Sequence, residues 1–232
     1  MLDFYLAYSS PNSQKVRIFL EEAGLAHRLM PVDIGKGEQY QPAYLAISPN
    51  NKVPALVDHA PVDGGAPITL FESGAILLYL AEKTGRFLPA DLRGRYEALK
   101  WLFWQMGGLG PMAGQAGHFL VFAPEPVPYA IERYVKELKR LYDVLDRRLE
   151  GRDWVAGDYG IADMACYPWI VSHAGHGQDL AAHPNLQRWF DSIRARPAVQ
   201  RAFVHARDVY AGGRKHLSEE QRRNLFGQGA RA

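Results

Sequence analysis

Leu2, Phe4 and Leu6 alternate with Asp3, Tyr5 and Ala7, which is the two-residue period of a strand. Ser9-Ser10-Pro11-Asn12 breaks that period. Val16, Ile18, Phe19, Leu20 and Ala23 follow at helical spacing, and Gly24 stands where a helix C-terminus takes a left-handed residue. His27 to Val32 reads as a second strand. Two strands bridged by a helix of about a dozen residues are expected to be parallel, with a right-handed crossover. After a polar loop, Gly35 to Gln41, come a short helical stretch, Pro42 to Ile47, and a run of turn residues, Ser48 to Lys52. Val53 to Asp58 and Ile68 to Phe71 read as short strands, with Asp63-Gly64-Gly65 between them marking a hairpin. Glu72 to Lys83 carries Ile76, Leu77, Tyr79 and Leu80 on a helix closed by Gly85.

The period then changes. From Arg93 to about Arg207 the apolar positions recur at helical spacing, as in Tyr96 to Met106, Tyr129 to Leu149, Ile161 to Ser172 and Leu186 to Arg194. These patterns predict an α/β unit over residues 1–84, a linker over 85–92 and an all-helical unit over 93–210. A Gly-rich, charged tail occupies residues 211–232, where Ser218 and Gln221 have the spacing of a helix cap.

Composition narrows the function classes. With 232 residues and 47% hydrophobic content the chain can bury a sizeable core, which excludes wholesale disorder. Of 27 basic and 25 acidic residues, five basic and two acidic ones lie from Ala211 onward, leaving 22 and 23 in the body. A body so close to neutral is not the footprint of a nucleic-acid binder. The longest apolar run, Gly74 to Ala81, is far below the roughly 20 residues that span a bilayer. No secretory signal is read at the N-terminus, so a soluble cytoplasmic protein is expected. The single cysteine, Cys166, excludes an internal disulfide framework, a Cys-x-x-Cys pair and a multi-cysteine zinc site. Its apolar helical setting suits a buried, inert thiol. His173 and His176 lie three apart without a third ligand at useful spacing, so no metal is expected.

Three spots carry candidate chemistry. Ser9-Ser10-Pro11-Asn12 joins the first strand to the first helix, where ligands collect at the carboxyl end of a strand and an anion can meet exposed N–H groups. As local sequence alone the four read first as a helix cap, with Asn12 or Ser13 at the N-cap. Val53-Pro54 precedes a strand, and taken alone the peptide is expected trans. Glu72-Ser73 opens a helix, with Ser73 able to cap it and Glu72 near the positive end of its dipole.

Taken in order, the three spots resemble those of a thioredoxin-like domain followed by an all-helical one. The arrangement is that of the cytosolic glutathione transferases. Within them the chain is most similar to the bacterial nu class, also described as disulfide-bond oxidoreductases, and to the yeast nitrogen-regulator prion-like transferases. The carrying segments are FLEEAGL (19–25), ISPNNKVPALVD (47–58), LFESGAILLYLAEKTG (70–85), WLFWQMGGLGPM (101–112) and PYAIERY (128–134).

The resemblance implies glutathione as co-substrate, with its cysteinyl main chain pairing with Val53 before a cis Pro54. Glu72 would take the γ-glutamyl ammonium, and Ser73 with the helix N-terminus its carboxylate. Gln39 and Lys52 would lie at the glycyl end. Arg133, within PYAIERY, would reach across a homodimer interface. Ser10 and Asn12 would donate to the glutathione thiolate, with Ser9 and Tyr8 as alternatives for the group facing sulfur. His118, after the GGLGPM segment, is a further candidate. Trp101, Phe103, Trp104 and Met106 are expected in the core or in a pocket wall. Family members usually carry Ser or Thr where Gly160 stands, which leaves Asp163 a structural role at a helix start. The implied activity is reduction of small disulfides through glutathione's own sulfur. Conjugation of electrophiles and glutathione binding without turnover are the alternatives.

Overall fold

A computed structural model describes residues 1–227, so Arg231 of the tail lies outside the described residues. Strand β1 (Leu2–Leu6) runs parallel to β2 (His27–Pro31), with helix α1 (Pro11–Ala23) crossing between them. After a 3-10 turn at Glu38–Tyr40 and the short α2 (Pro42–Leu45), β3 (Ala55–Asp58) and β4 (Ile68–Phe71) form an antiparallel hairpin. The mixed sheet has the order β2-β1-β3-β4, with Phe4 opposite Leu56 and Leu29 in its central register. Helix α3 (Ser73–Thr84) packs beside α1, and Leu2, Phe4, Leu6, Phe19, Leu56, Ile76 and Leu77 are buried between sheet and helices. Gly24 and Gly85 both take φ near +65°, the left-handed stop that their positions predict.

The second unit begins with α4 (Leu92–Trp104), capped by Asp91, whose carboxylate accepts from Gly94 N. The helix does not stop at Trp104. A π-helical turn (Gln105–Leu109), α5 (Gly110–Gly117) and a second π-helical turn (His118–Phe122) continue it. Such widened turns displace side chains from the regular helical faces and recur at functional sites. Then come α6 (Pro128–Arg148), α7 (Ile161–Val171), α8 (Pro184–Arg194) and α9 (Pro197–Phe203). Asp163 on α7 is buried and accepts from Gly160 N at 3.1 Å, Val155 N at 2.9 Å and Trp189 Nε1 at 2.7 Å. Burial raises its carboxyl to about 6 even against these donors. None of the described helices is long and apolar enough to cross a membrane.

Two expectations need correction. Phe103 is 66% exposed rather than in the core or a pocket wall; Leu92 and Tyr96 are exposed with it on α4. The N-cap of α1 is Ser10, not Asn12 or Ser13. Pro11 suits the first helical position because its fixed φ is helical and its missing N–H has no partner to lose there. The cap therefore falls one residue before the proline.

The tail folds back onto the body. Ser218 and Gln221 form the expected capping box at the start of α10 (Glu219–Phe226). Phe226 packs on His118 and Phe122, and Tyr210 on Phe122 and His176. The body leaves room for this: a Cβ at Gly175 would stand 2.5 Å from Tyr210 Cβ, and one at Gly117 would also strike the ring.

Candidate functional site

Two cavities meet beside the N-terminus of α1. The narrower, about 360 Å³, lies between α1, the loop before β3, the start of α3 and the first π-helical turn. The wider, about 730 Å³, lies between the β1–α1 turn and the folded-back tail. Asn12, Lys52, Val53 and Trp169 line both. Ser10 and Gln39 line the wider cavity, and Pro54, Glu72 and Ser73 the narrower. Eight of the nine expected residues thus line one or both of these adjacent cavities. Arg133 does not; it is exposed on α6 beside Tyr129 and Lys136.

The donors at the junction are oriented by the fold. Trp169 Nε1 donates to Asn12 Oδ1 at 3.1 Å, which leaves the Asn12 Nδ2 donor for the cavities. Ser10 Oγ accepts from Ser13 N at 3.4 Å as the helix cap, so its hydroxyl proton remains free to donate. Lys52 O accepts from Tyr44 Oη at 2.8 Å and from Ser48 Oγ at 2.9 Å, which pins the loop before the cis Val53–Pro54 peptide. Among the described residues, nothing pairs with the main-chain N–H or C=O of Val53, so an extended peptide can pair there.

At the other end of the narrow cavity, Glu72 has φ +70° and ψ 113°. A non-glycine residue in that region carries about 1–3 kcal/mol of backbone strain, and such strain clusters at ligand clamps. Its carboxylate makes no cap hydrogen bond to α3 and stays exposed in the cavity. Ser73, the first residue of α3, is buried beneath it with the unpaired N–H groups of the helix start. Gly74 admits Met106, whose Cγ lies 3.0 Å from where a Cβ would project.

Other candidates separate from this space. Tyr8 lines neither cavity and packs against the His205 ring, with the Arg17 guanidinium over its face. Ser9 lines the wider cavity beside Ser10. His118 packs between Phe119 and Phe226, where burial lowers its basicity. Cys166 is buried, which pushes its thiol well above the ordinary range. The Gln39 amide is engaged: Nε2 donates to Ile34 O at 3.2 Å and to Asn224 O at 2.6 Å.

Four residues of the cavity walls carry no role in the sequence reading. Trp169, which sets the Asn12 amide, lies 157 residues away and carries no local signal. Tyr210 and Leu217 bring the tail into the wall of the wider cavity. Lys15 lies in the wall of the narrow one; its spacing of three and four from Ile18 and Phe19 does put it on the buried face of α1.

Comparison with known proteins agrees with this architecture. Residues 9–83 match the glutathione S-transferase N-terminal domain family, and residues 109–197 the C-terminal domain family. The chain belongs to the glutathione S-transferase family. It is 56% identical over 207 residues to the disulfide-bond oxidoreductase YfcG of Escherichia coli, covering 89% of this chain and 96% of the relative. A glutathione transferase from Burkholderia graminis, solved with two glutathione molecules per subunit, superposes with a TM-score of 0.83 at 46% identity, covering 87% of each chain. One from Pseudomonas putida, solved with one glutathione disulfide per subunit, superposes with a TM-score of 0.82 at 42% identity, covering 88% of this chain and 90% of the other.

Proposed function

We propose that this chain is a glutathione-dependent disulfide-bond oxidoreductase that reduces small disulfides through the glutathione thiolate. The observation carrying the reading is the pair of free donors, Asn12 Nδ2 and the Ser10 hydroxyl, at the junction of two cavities. An ordinary thiol titrates near 8.5, and hydrogen bonds to its anion lower that value. The name of the Escherichia coli relative and the ligands of the two neighbours support the same chemistry.

Glutathione occupies the narrow cavity with its γ-glutamyl ammonium on Glu72 and its carboxylate on Ser73. Its cysteinyl main chain pairs with Val53 beside Pro54, and its sulfur faces Asn12 and Ser10. Lys52 meets the glycyl carboxylate, and Gln39 joins it by exchanging the Asn224 carbonyl for that group. The disulfide enters the wider cavity. The bound thiolate attacks one of its sulfurs, forming a mixed disulfide with glutathione and releasing the other half as a thiolate, which takes up a proton. A second glutathione thiolate then attacks the mixed disulfide, giving glutathione disulfide and the second reduced thiol. Two glutathiones are oxidised for each disulfide reduced.

We place the chain in the nu class, as a cytoplasmic homodimer, with the division between its two units at residues 85–92. The exposed Leu92, Tyr96 and Phe103 form one stripe of α4 suited to burial against a second copy. Arg133, without an ion-pair partner among the described residues, reaches the neighbouring site in that dimer. Turnover of a glutathione mixed disulfide against an aryl halide tests the reading. Disulfide reduction dominates and falls in both Ser10→Ala and Asn12→Ala. If both variants retain it in full, the proposed chemistry is wrong; if only the aryl halide turns over, the chain is a conjugating enzyme.

A further inference from the structure

Lys15 projects from α1 beneath the glutamyl end of the narrow cavity, and it is 1% exposed. Its ammonium donates to Gln105 Oε1 at 2.6 Å, with Ser73 Oγ and Met106 Sδ each at 3.3 Å. All three partners are neutral. Among the described residues Lys15 has no ion pair within contact distance, with Glu72 acting on it only at longer range, and a buried ammonium so placed carries a penalty of several kcal/mol. The charged and titratable groups around it are few. Glu72 lies at the start of α3, the protonated Cys166 thiol on α7, and Lys52 lines the far side of the cavity. The first π-helical turn presents only Gln105 and Met106.

This geometry has a direction. Because Lys15 Nζ donates to Ser73 Oγ, the serine lone pair is occupied and its hydroxyl proton is turned toward another acceptor. The alternative acceptor inside the chain, Met106 Sδ at 3.7 Å, is weak. Either side of Ser73 therefore carries one sign of charge: an exposed carboxylate on Glu72 and a buried ammonium on Lys15. That is a receptor for an α-amino-acid zwitterion.

We infer that Lys15 is a positioning residue for the γ-glutamyl head, aiming the Ser73 hydroxyl and supplying the cation whose missing counter-charge is the ligand's α-carboxylate. The inference rests on the placement of glutathione given above. Burial holds the unliganded Lys15 at about 7, so above neutrality much of it is uncharged. An arriving carboxylate favours the charged form, and binding then takes up a proton. By linkage, affinity falls as pH rises above about 7, by up to about tenfold per unit.

Calorimetry with S-methylglutathione, which has no titrating thiol, tests this on the wild-type protein. Titrations at about pH 8 in two buffers of different ionisation enthalpy report proton uptake directly. We expect roughly 0.5–1 proton taken up per ligand bound. The analogue lacking only the glutamyl α-carboxylate binds weakly and takes up none. Lys15→Met weakens S-methylglutathione binding and abolishes uptake, whereas Lys15→Arg keeps a permanent charge and restores affinity without uptake. Binding by the wild type without proton uptake overturns the role of Lys15 and leaves the glutathione site standing. Uptake that persists in Lys15→Met overturns it as well. Failure of the wild type to bind S-methylglutathione overturns the glutathione placement and this inference with it.

Discussion

The two cavities differ in how their walls are made. The narrow one is walled by α1, α3, the pinned loop before β3 and the widened turn after α4. Its polar groups are fixed by the body: Asn12 by Trp169, Lys52 O by Tyr44 and Ser48, and Lys15 by Gln105. The wider one takes its outer wall from residues 207–210, 215–217 and α10, beyond the last residue matched to the family. Rigid, charge-matched walls suit recognition of one head group. A wall built from a docked tail suits the more open place that the proposal gives to the disulfide.

Substitutions separate the two cavities by the size and kind of their effect. Asn12→Asp keeps the acceptor for Trp169 but replaces the free donor with an anion facing the thiolate. Because a charge-assisted hydrogen bond contributes about 1.5–3 kcal/mol and its replacement here is repulsive, disulfide reduction should fall by about a hundredfold or more in kcat/KM. Glu72→Gln removes the ammonium partner in the narrow cavity and should raise KM for glutathione by about tenfold, leaving KM for the disulfide little changed. Gly175→Ala drives a Cβ into Tyr210 and lifts the tail, so KM for the disulfide should change several-fold, with a smaller change in KM for glutathione through the freed Gln39 amide. Tyr8→Phe should be nearly silent in both constants, because the ring packs on His205 and Arg17 outside both cavities. Steady-state kinetics in both substrates checks all four. Equal effects of Glu72→Gln and Gly175→Ala on both KM values would break the division.

The sheet and its helices were legible because their signals are local. The two-residue period of Leu2, Phe4 and Leu6, the helical spacing to Phe19 and Leu20, and the glycines at 24 and 85 each specify an element without reference to the rest of the chain. The gathering of Asn12, Glu72 and Ser73 at one cavity is expected from their order and the resemblance. What orients them is not. Trp169 reaches Asn12, Asn224 reaches Gln39 and Tyr210 reaches Gly175 only after the chain folds, and no spacing encodes those meetings. Phe103 shares the exposed face of α4 with Leu92 and Tyr96, and past the end of that helix the widened turn at Gln105–Leu109 brings Gln105 and Met106 to Lys15. Lys15 was overlooked because a lysine on a helix is expected at the surface. Here polar groups from two other elements meet it inside.

The direct test of the central claim is the ionisation of glutathione's sulfur when bound, followed by the ultraviolet absorbance of the thiolate as pH is raised. With Asn12 and Ser10 donating to it, the bound thiol should ionise at least about one unit below the roughly 8.5 of a free thiol, and Asn12→Asp should remove that depression. A bound thiol that titrates like the free one in the wild-type protein would contradict the account.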